Sequence, residues 1–239
     1  MIGTGRSAVE ISLRSHPDRS DEGRVSSASP DGQPADRVWC VESSGADPLI
    51  IPLEQSLAIQ AWIADGVDRA AEELAETHAF DTEITVLETR CRALGEFGTD
   101  ASDVAEDLTA GVLGACRGRL AGTALLAMEP DDALAWMRSD GNGAPPIETY
   151  LKLGGRLLAS VMRSAAEALD VDVEMAAPSL AEASVASCLA RTHAPLDTVL
   201  ISSQLEIRAG RQQLPAQLHL IIEPKLVSAL LGALAVSLH

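Results

Sequence analysis

The side chains of this 239-residue chain that could do chemistry are mostly carboxylates, gathered in three places. Glu72, Glu73 and Glu76 are spaced for paired acid–base work, but on a surface helix such a run is a solvated face. Asp100, Asp103, Glu106 and Asp107 could attract a divalent cation, yet they lack the glycine turn and spacing of a calcium loop. Glu129, Asp131 and Asp132 flank Pro130, where they serve better as helix-capping residues. The five histidines, His16, His78, His193, His219 and His239, never fall at metal-ligand spacing. His219 falls in a strand pattern and reads as packed or hydrogen-bonded. Ser202-Ser203 lacks the Gly-x-Ser-x-Gly elbow of a hydrolase nucleophile. Gly3-Thr4-Gly5 has no strand ahead of it to make a phosphate loop. The four cysteines, Cys40, Cys91, Cys116 and Cys188, form no Cys-x-x-Cys pair, which excludes a zinc ribbon and fits a reducing compartment. No metal and no cofactor is expected.

Charge and composition narrow the field further. With 35 acidic and 18 basic residues the formal charge is −17. Phosphate neutralisation needs clustered Lys and Arg, so neither nucleic acid nor an anionic membrane surface is an expected partner. Aromatic residues make up 3%, too few for a base-stacking platform, while 46% hydrophobic residues suffice for a core of Ala, Leu, Val and Ile. No signal-type apolar region follows Met1, and the apolar run Leu226 to Leu238 is too short to span a bilayer. A cytoplasmic location is expected.

Residues 1–48 are expected to be a flexible extension, because Ser15 to Asp36 is an aperiodic run of Ser, Asp, Arg, Gly and Pro. Asp36 to Glu42 has the pattern of a short strand or docking segment. From Leu49 onward the periodicity predicts an α/β (α+β) fold. A helix of about 25 residues opens at Pro52, with Leu57, Ile63, Val67, Ala70, Ala71 and Leu74 at helical spacing. A strand follows over Asp81 to Arg90, then a polar stretch from Gly95 to Asp107 with a short helix capped by Ser102 or Asp103. Val112 to Arg117 and Leu120 to Met128 read as a hairpin, and Pro130 opens a helix ending near Ser139. Asp140 to Pro146 is the clearest linker.

The same order then returns: a helix from Ile147 to Leu169, a strand over Val171 to Met175 and a helix over Ser179 to Arg191. Strands over Thr198 to Arg208 and Gln213 to Ile222 come next, and Pro224 opens a closing helix. Leu120 to Pro130 superposes on Leu214 to Pro224 at an offset of 94, ending in Glu-Pro both times. The earlier units align at an offset near 91, so the copies differ by a three-residue loop change. An internal duplication follows, with repeats over 53–140 and 146–238. Two units that each leave a sheet edge open are expected to pack about a pseudo-twofold axis, in a mixed or antiparallel sheet flanked by helices.

This order resembles the CheC family of chemotaxis phosphatases and its relatives CheX, FliY and the middle domain of FliM. The resemblance runs from about Leu53 to Val236. It is carried by Ala70-Ala71-Glu72-Glu73-Leu74 leading into Asp81 to Val86, by Val112 to Met137, and by Asp197 to Leu231. It implies chemistry borne by a Glu-x-x-Asn motif on the long helix of each copy. Residues i and i+3 share a helix face, so the carboxylate grips a partner's lysine while the amide orients a water at an aspartyl-phosphate. Projected onto this chain, the first motif falls on Ala61 and Ala64 and the second on Lys152 and Gly155. Alanine and glycine have no side-chain donor or acceptor, and Lys152 reverses the charge. Asp65 and Asp68 are the fallback candidates if the register shifts, though they lack the amide.

What the resemblance implies is therefore a non-catalytic adaptor or regulator in chemotaxis or two-component signalling, binding a CheY-like receiver domain or a CheD-like protein. The candidate contact residues are Ala61, Trp62, Ala64, Asp65, Asp68, Lys152, Gly155 and Arg156. An exposed Trp62 would make that surface adhesive, whereas Trp62 and Trp136 are more ordinarily core anchors. The glycine pair Gly154-Gly155 costs about 1 kcal/mol per residue in a helix, offset by close packing or by a partner's approach. Two alternatives stand: an active phosphoaspartate phosphatase using displaced residues, and a structural part of a flagellar-switch or secretion-type assembly. The oligomeric state is left open. Residues 49–148 hold nineteen acids and six bases, whereas 149–239 hold eight and seven. The first copy should thus favour a basic partner surface and the second be nearly indifferent.

Overall fold

The computed structural model describes residues 39–41, 49–51, 53–77, 82–97, 108–139 and 145–237. The expected flexible segment over Ser15 to Asp36, the expected caps Ser102 and Asp103, and most of the 140–146 linker lie outside these. The two long helices are set by their apolar stripes. In α1 (Leu53–Thr77), Ile59, Ile63, Val67, Ala70 and Leu74 are buried, three or four residues apart, with Trp62 buried beside Ile63. In α3 (Pro146–Ala168), Leu153, Leu157, Val161 and Ala165 do the same. Proline opens α3 and two of the shorter helices, α2 (Pro130–Ser139) and α5 (Pro224–Ser237), where its missing N–H costs no hydrogen bond.

A small antiparallel pair, β1 (Trp39–Val41) and β2 (Leu49–Ile51), precedes α1. The other strands form one seven-stranded sheet. They are β3 (Thr82–Ala93), β4 (Thr109–Gly118), β5 (Gly122–Met128), β6 (Val173–Met175), β7 (Ser179–Ala183), β8 (Val199–Ala209) and β9 (Gln212–Ile222). Every pairing is antiparallel, and the order is β3-β8-β9-β5-β4-β6, with β7 also on β4.

That order confirms the duplication and adds a feature local patterns do not carry: the first strands are exchanged. β3 of the first copy pairs with β8 of the second, while β6 and β7 of the second pair with β4 of the first. The hairpins β4–β5 and β8–β9 meet edge to edge in the middle. Leu125 pairs with His219 there, and these two residues are equivalent at the 94-residue offset. The pseudo-twofold axis therefore passes through this pair.

Two expectations are corrected. Ser179 to Arg191 is not one helix: Ser179–Ala183 is strand β7, and only Val185–Ala190 is helical (α4). Its Ala and Glu content favours helix, but β4 offers an open row of backbone groups that Ser179–Ala183 satisfies. Ser184 then caps α4, its side-chain oxygen accepting from the Ser187 N–H at 3.3 Å. Within the polar stretch, the described part holds a single 3-10 turn at Leu94–Glu96.

Helices α1, α2, α3 and α5 share one face of the sheet and build the main core. The opposite face has a smaller core, where Val185, Cys188 and Leu189 of α4 cover Leu125, Ala127 and Ala181. Close approach of α1 and α3 depends on Gly66, because a Cβ there would stand 2.7 Å from the Val161 Cα. Tyr150 ties α3 to the sheet, donating from its hydroxyl to the Ala110 carbonyl at 2.7 Å, and meets Trp136 of α2 edge-on at 6.2 Å.

Gly66→Ala should therefore destabilise the fold by about 1–3 kcal/mol, despite alanine's higher helix propensity, as read by urea unfolding. Because the edge strands are exchanged, residues 49–140 and 145–239 produced separately should each lack cooperative unfolding, and mixing them should restore it.

Candidate functional site

The site follows from the two long helices. On α1 the first projected motif places Ala61 exposed and Ala64 half-buried; on α3 the second places Lys152 exposed and Gly155 half-buried. The two projected pairs thus share the same pattern of exposure. Between the two projected positions of α1, Trp62 is buried at 3% exposure, so it is a core residue and not an exposed adhesive one. Trp136 is likewise buried.

The glycine pair has a packing reason. A Cβ on Gly154 would meet the Val112 side chain at 2.7 Å, and one on Gly155 would meet Pro178 at 2.9 Å. Gly154 thus lets α3 sit on β4, and Gly155 lets it pass beneath the connection between β6 and β7. Arg156 is half-buried and donates to the Glu73 carbonyl at 3.4 Å.

Asp65 does not stand ready as a catalytic base. Its carboxylate accepts from the Ser164 hydroxyl at 2.7 Å and pairs with Arg69 at 3.0 Å. Arg69 also pairs with Glu167, and these two carboxylates hold its guanidinium above its ordinary pKa, Glu167 contributing most. Asp68 is exposed on the same helix. The sequence reading missed Arg69, Ser164 and Glu167, since their partners lie on the other copy's helix. The i, i+4 spacing of Asp65 and Arg69 was the one local signal available.

Together with Ala61 and Trp62, these groups line a groove of ≈310 Å³ between α1, α3 and the end of α5. The buried Trp62 Nε1 has no partner among the described residues. Among the described residues that line the groove there is no asparagine or glutamine. Elsewhere, Glu73 pairs with Arg163 at 2.8 Å, which gives one of the three helix glutamates a structural role. Among the described residues, no three His, Cys, Asp or Glu side chains gather as metal ligands.

The thiols of Cys91, Cys116 and Cys188 are buried. Burial pushes Cys91 up to about 12 and Cys116 to about 11. The Cys116 thiol also sits 2.9 Å from the Met175 sulfur. Cys188 is raised too, by burial, with Arg191 opposing.

Solved structures share the fold over about three quarters of this chain. FliY from Thermotoga maritima superposes with a TM-score of 0.57 at 13% identity, over 77% of this chain and 96% of that one. The FliM middle domain from H. pylori gives 0.55 at 11% identity, over 77% and 99%. The fold is that of FliY and the FliM middle domain. A FliG–FliM complex from H. pylori also matches, with TM-score 0.50 and 16% identity over 76% of this chain and 100% of that one. No family model and no curated protein sequence matches the chain. The resemblance first read in the order of helices, hairpins and Glu-Pro junctions is thus borne out at the level of the CheC/FliM-like fold. Among the described residues, no helix is long and apolar enough to cross a membrane.

The pairs of Asp65 and Arg69 are about half exposed, so Asp65→Ala should change stability by less than about 1 kcal/mol in chemical denaturation. Raised thiol pKa values keep Cys91 and Cys116 protonated at pH 8, so iodoacetamide should leave both unmodified in the native protein. Both should be labelled after denaturation, as peptide mass mapping would show.

Proposed function

We propose that this protein is a non-catalytic adaptor or regulator of a chemotaxis-type or flagellar-switch-type signalling pathway, acting in the cytoplasm. It binds a CheY-like receiver domain or a CheD-like protein across the faces of α1 and α3 that carry Ala61, Ala64 and Lys152. One observation carries this reading. On a CheC/FliM-like fold, the positions onto which the phosphatases' carboxylate and amide project are Ala61, Ala64, Lys152 and Gly155. The nearest displaced carboxylate, Asp65, is engaged by Ser164 and Arg69. Positioning supplies most of the rate in phosphoryl hydrolysis, and a site without the positioning group retains binding alone.

The two faces differ in charge. Asp65 and Asp68 lie beside the first site, while Lys152 and Arg156 lie at the second. The first face therefore suits a basic partner surface, and a partner that gripped both copies alike is disfavoured.

A structural role in a switch-type assembly is the second reading. It is favoured by the neighbours themselves, which include FliM in complexes with FliG and with SpeE. Co-purification in fixed stoichiometry with rotor-type proteins, and not with a receiver, would select it over the adaptor reading.

The decisive experiment mixes the protein with a phosphorylated receiver and follows phosphate release. The expected outcome is association without acceleration, unchanged in Asp65→Ala. Acceleration that Asp65→Ala abolishes would instead establish a phosphatase with displaced residues.

A further inference from the structure

The groove between α1, α3 and the end of α5 joins two surfaces of different character. Its walls are apolar: Ala58, Ala61 and Trp62 come from α1, Ala168 from α3 and Leu234 from α5. Helix periodicity explains the α1 wall, because Ala58, Ala61 and Asp65 follow one another at spacings of three and four. Alanines on that side leave room that larger side chains would fill. The volume, ≈310 Å³, lies at the low end of ligand pockets.

The rim is charged, and its sign is negative. Among the described residues that line the groove, Asp65 and Glu167 supply two carboxylates and Arg69 one guanidinium. Arg69 pairs with both, so its charge is neutralised within the rim. It is also the one basic residue of α1. Asp68 and Glu72, both exposed, continue the acidic line along α1 beyond Asp65. Asp65, Asp68 and Glu72 are three and four residues apart, so the carboxylates repeat about once per helical turn, roughly 5.4 Å. At the wall, Trp62 Nε1 is buried without a partner among the described residues. An entrant that brings an acceptor to it gains a hydrogen bond.

We infer that this groove receives an aliphatic side chain from a helix of a partner protein, and that lysines or arginines flank that side chain. The inference deepens the docking face proposed above and rests on that face being an interface. Charge complementarity selects the partner, because the rim attracts cations and repels an acidic segment. A helix laid along α1 repeats its side chains at the spacing of the carboxylates, so each turn adds an ion pair. Exposed ion pairs contribute little by themselves, and the apolar anchor in the groove supplies the burial that holds the helix in place.

The test is fluorescence anisotropy, with the full chain titrated into a labelled alanine-based peptide. The peptide has about 18 residues, long enough to hold a helix, with lysine at every fourth position and one central leucine on the lysine face. Two companion peptides replace the leucine by serine or every lysine by glutamate. One-site saturable binding of the lysine–leucine peptide is expected, weakening as sodium chloride rises. The serine peptide should bind about fivefold more weakly and the glutamate peptide not at all. Ala168→Phe, which fills the groove from α3, should weaken binding about tenfold, while Ala186→Phe on α4 should bind as the wild type does. Should Ala168→Phe fail to fold, Ala58→Phe fills the groove from α1 in its place. The inference is overturned if the lysine–leucine peptide does not bind saturably, if the serine peptide binds equally well, or if the folded groove variant binds as tightly as the wild type. The phosphorylated receiver of the preceding experiment tells the two readings apart. A receiver that associates where no peptide binds keeps the adaptor reading and overturns the groove, and peptide binding at the groove without receiver association does the reverse.

Discussion

Everything in this fold depends on the pairing of β5 with β9, through which two hairpins from different halves become one sheet. Once those edges are joined, each half still lacks a strand on its outer side, and the strand that fills it comes from the other half. The long helices must then cross the sheet as a pair, and their approach is close enough that Gly66 admits no side chain. Core and topology are thus a single cooperative unit, although the sequence is two copies of one pattern. Packing of this density tolerates little change of volume inside while leaving surfaces free.

That freedom explains the contrast between the sites and the core. The apolar stripes of α1 and α3 recur in both halves, but the outward positions beside them have diverged to alanine in one copy and to lysine and glycine in the other. Ion pairs among Asp65, Arg69 and Glu167 join the helices at one place, and Glu73 with Arg163 joins them at another. These are exposed pairs, each worth at most about 1 kcal/mol, so they adjust a surface already placed by burial.

Much of the architecture was legible in residue order. Proline at 130 and 224, each after a glutamate, marked the hairpin-to-helix junctions, and the alternation of β8 and β9 gave strands within a residue or two of those observed. Strand β7 was not legible, because Ser179–Ala183 is a run of helix formers held extended only by β4. The exchange of edge strands was hidden for a different reason. A strand that pairs with its own hairpin and one that pairs with its neighbour's carry the same local pattern, so only long-range register distinguishes them. For the candidate site, Ala61 and Lys152 came from the projected family motif, but the Ser164 partner of Asp65 lies about a hundred residues away. Trp62 shows the same limit, since its helix position alone did not say which side of the stripe it occupied.

The swapped edge strands also bear on descent. In a tandem duplicate with independent halves, either half can decay once the other suffices. Here each half carries a strand that completes the other, so losing one copy unmakes both. Selection on folding alone then preserves the pair, even where only one of them still meets a partner. Outward-facing residues of either copy can then change without being released from the chain. A surface held in that way is raw material for new specificity.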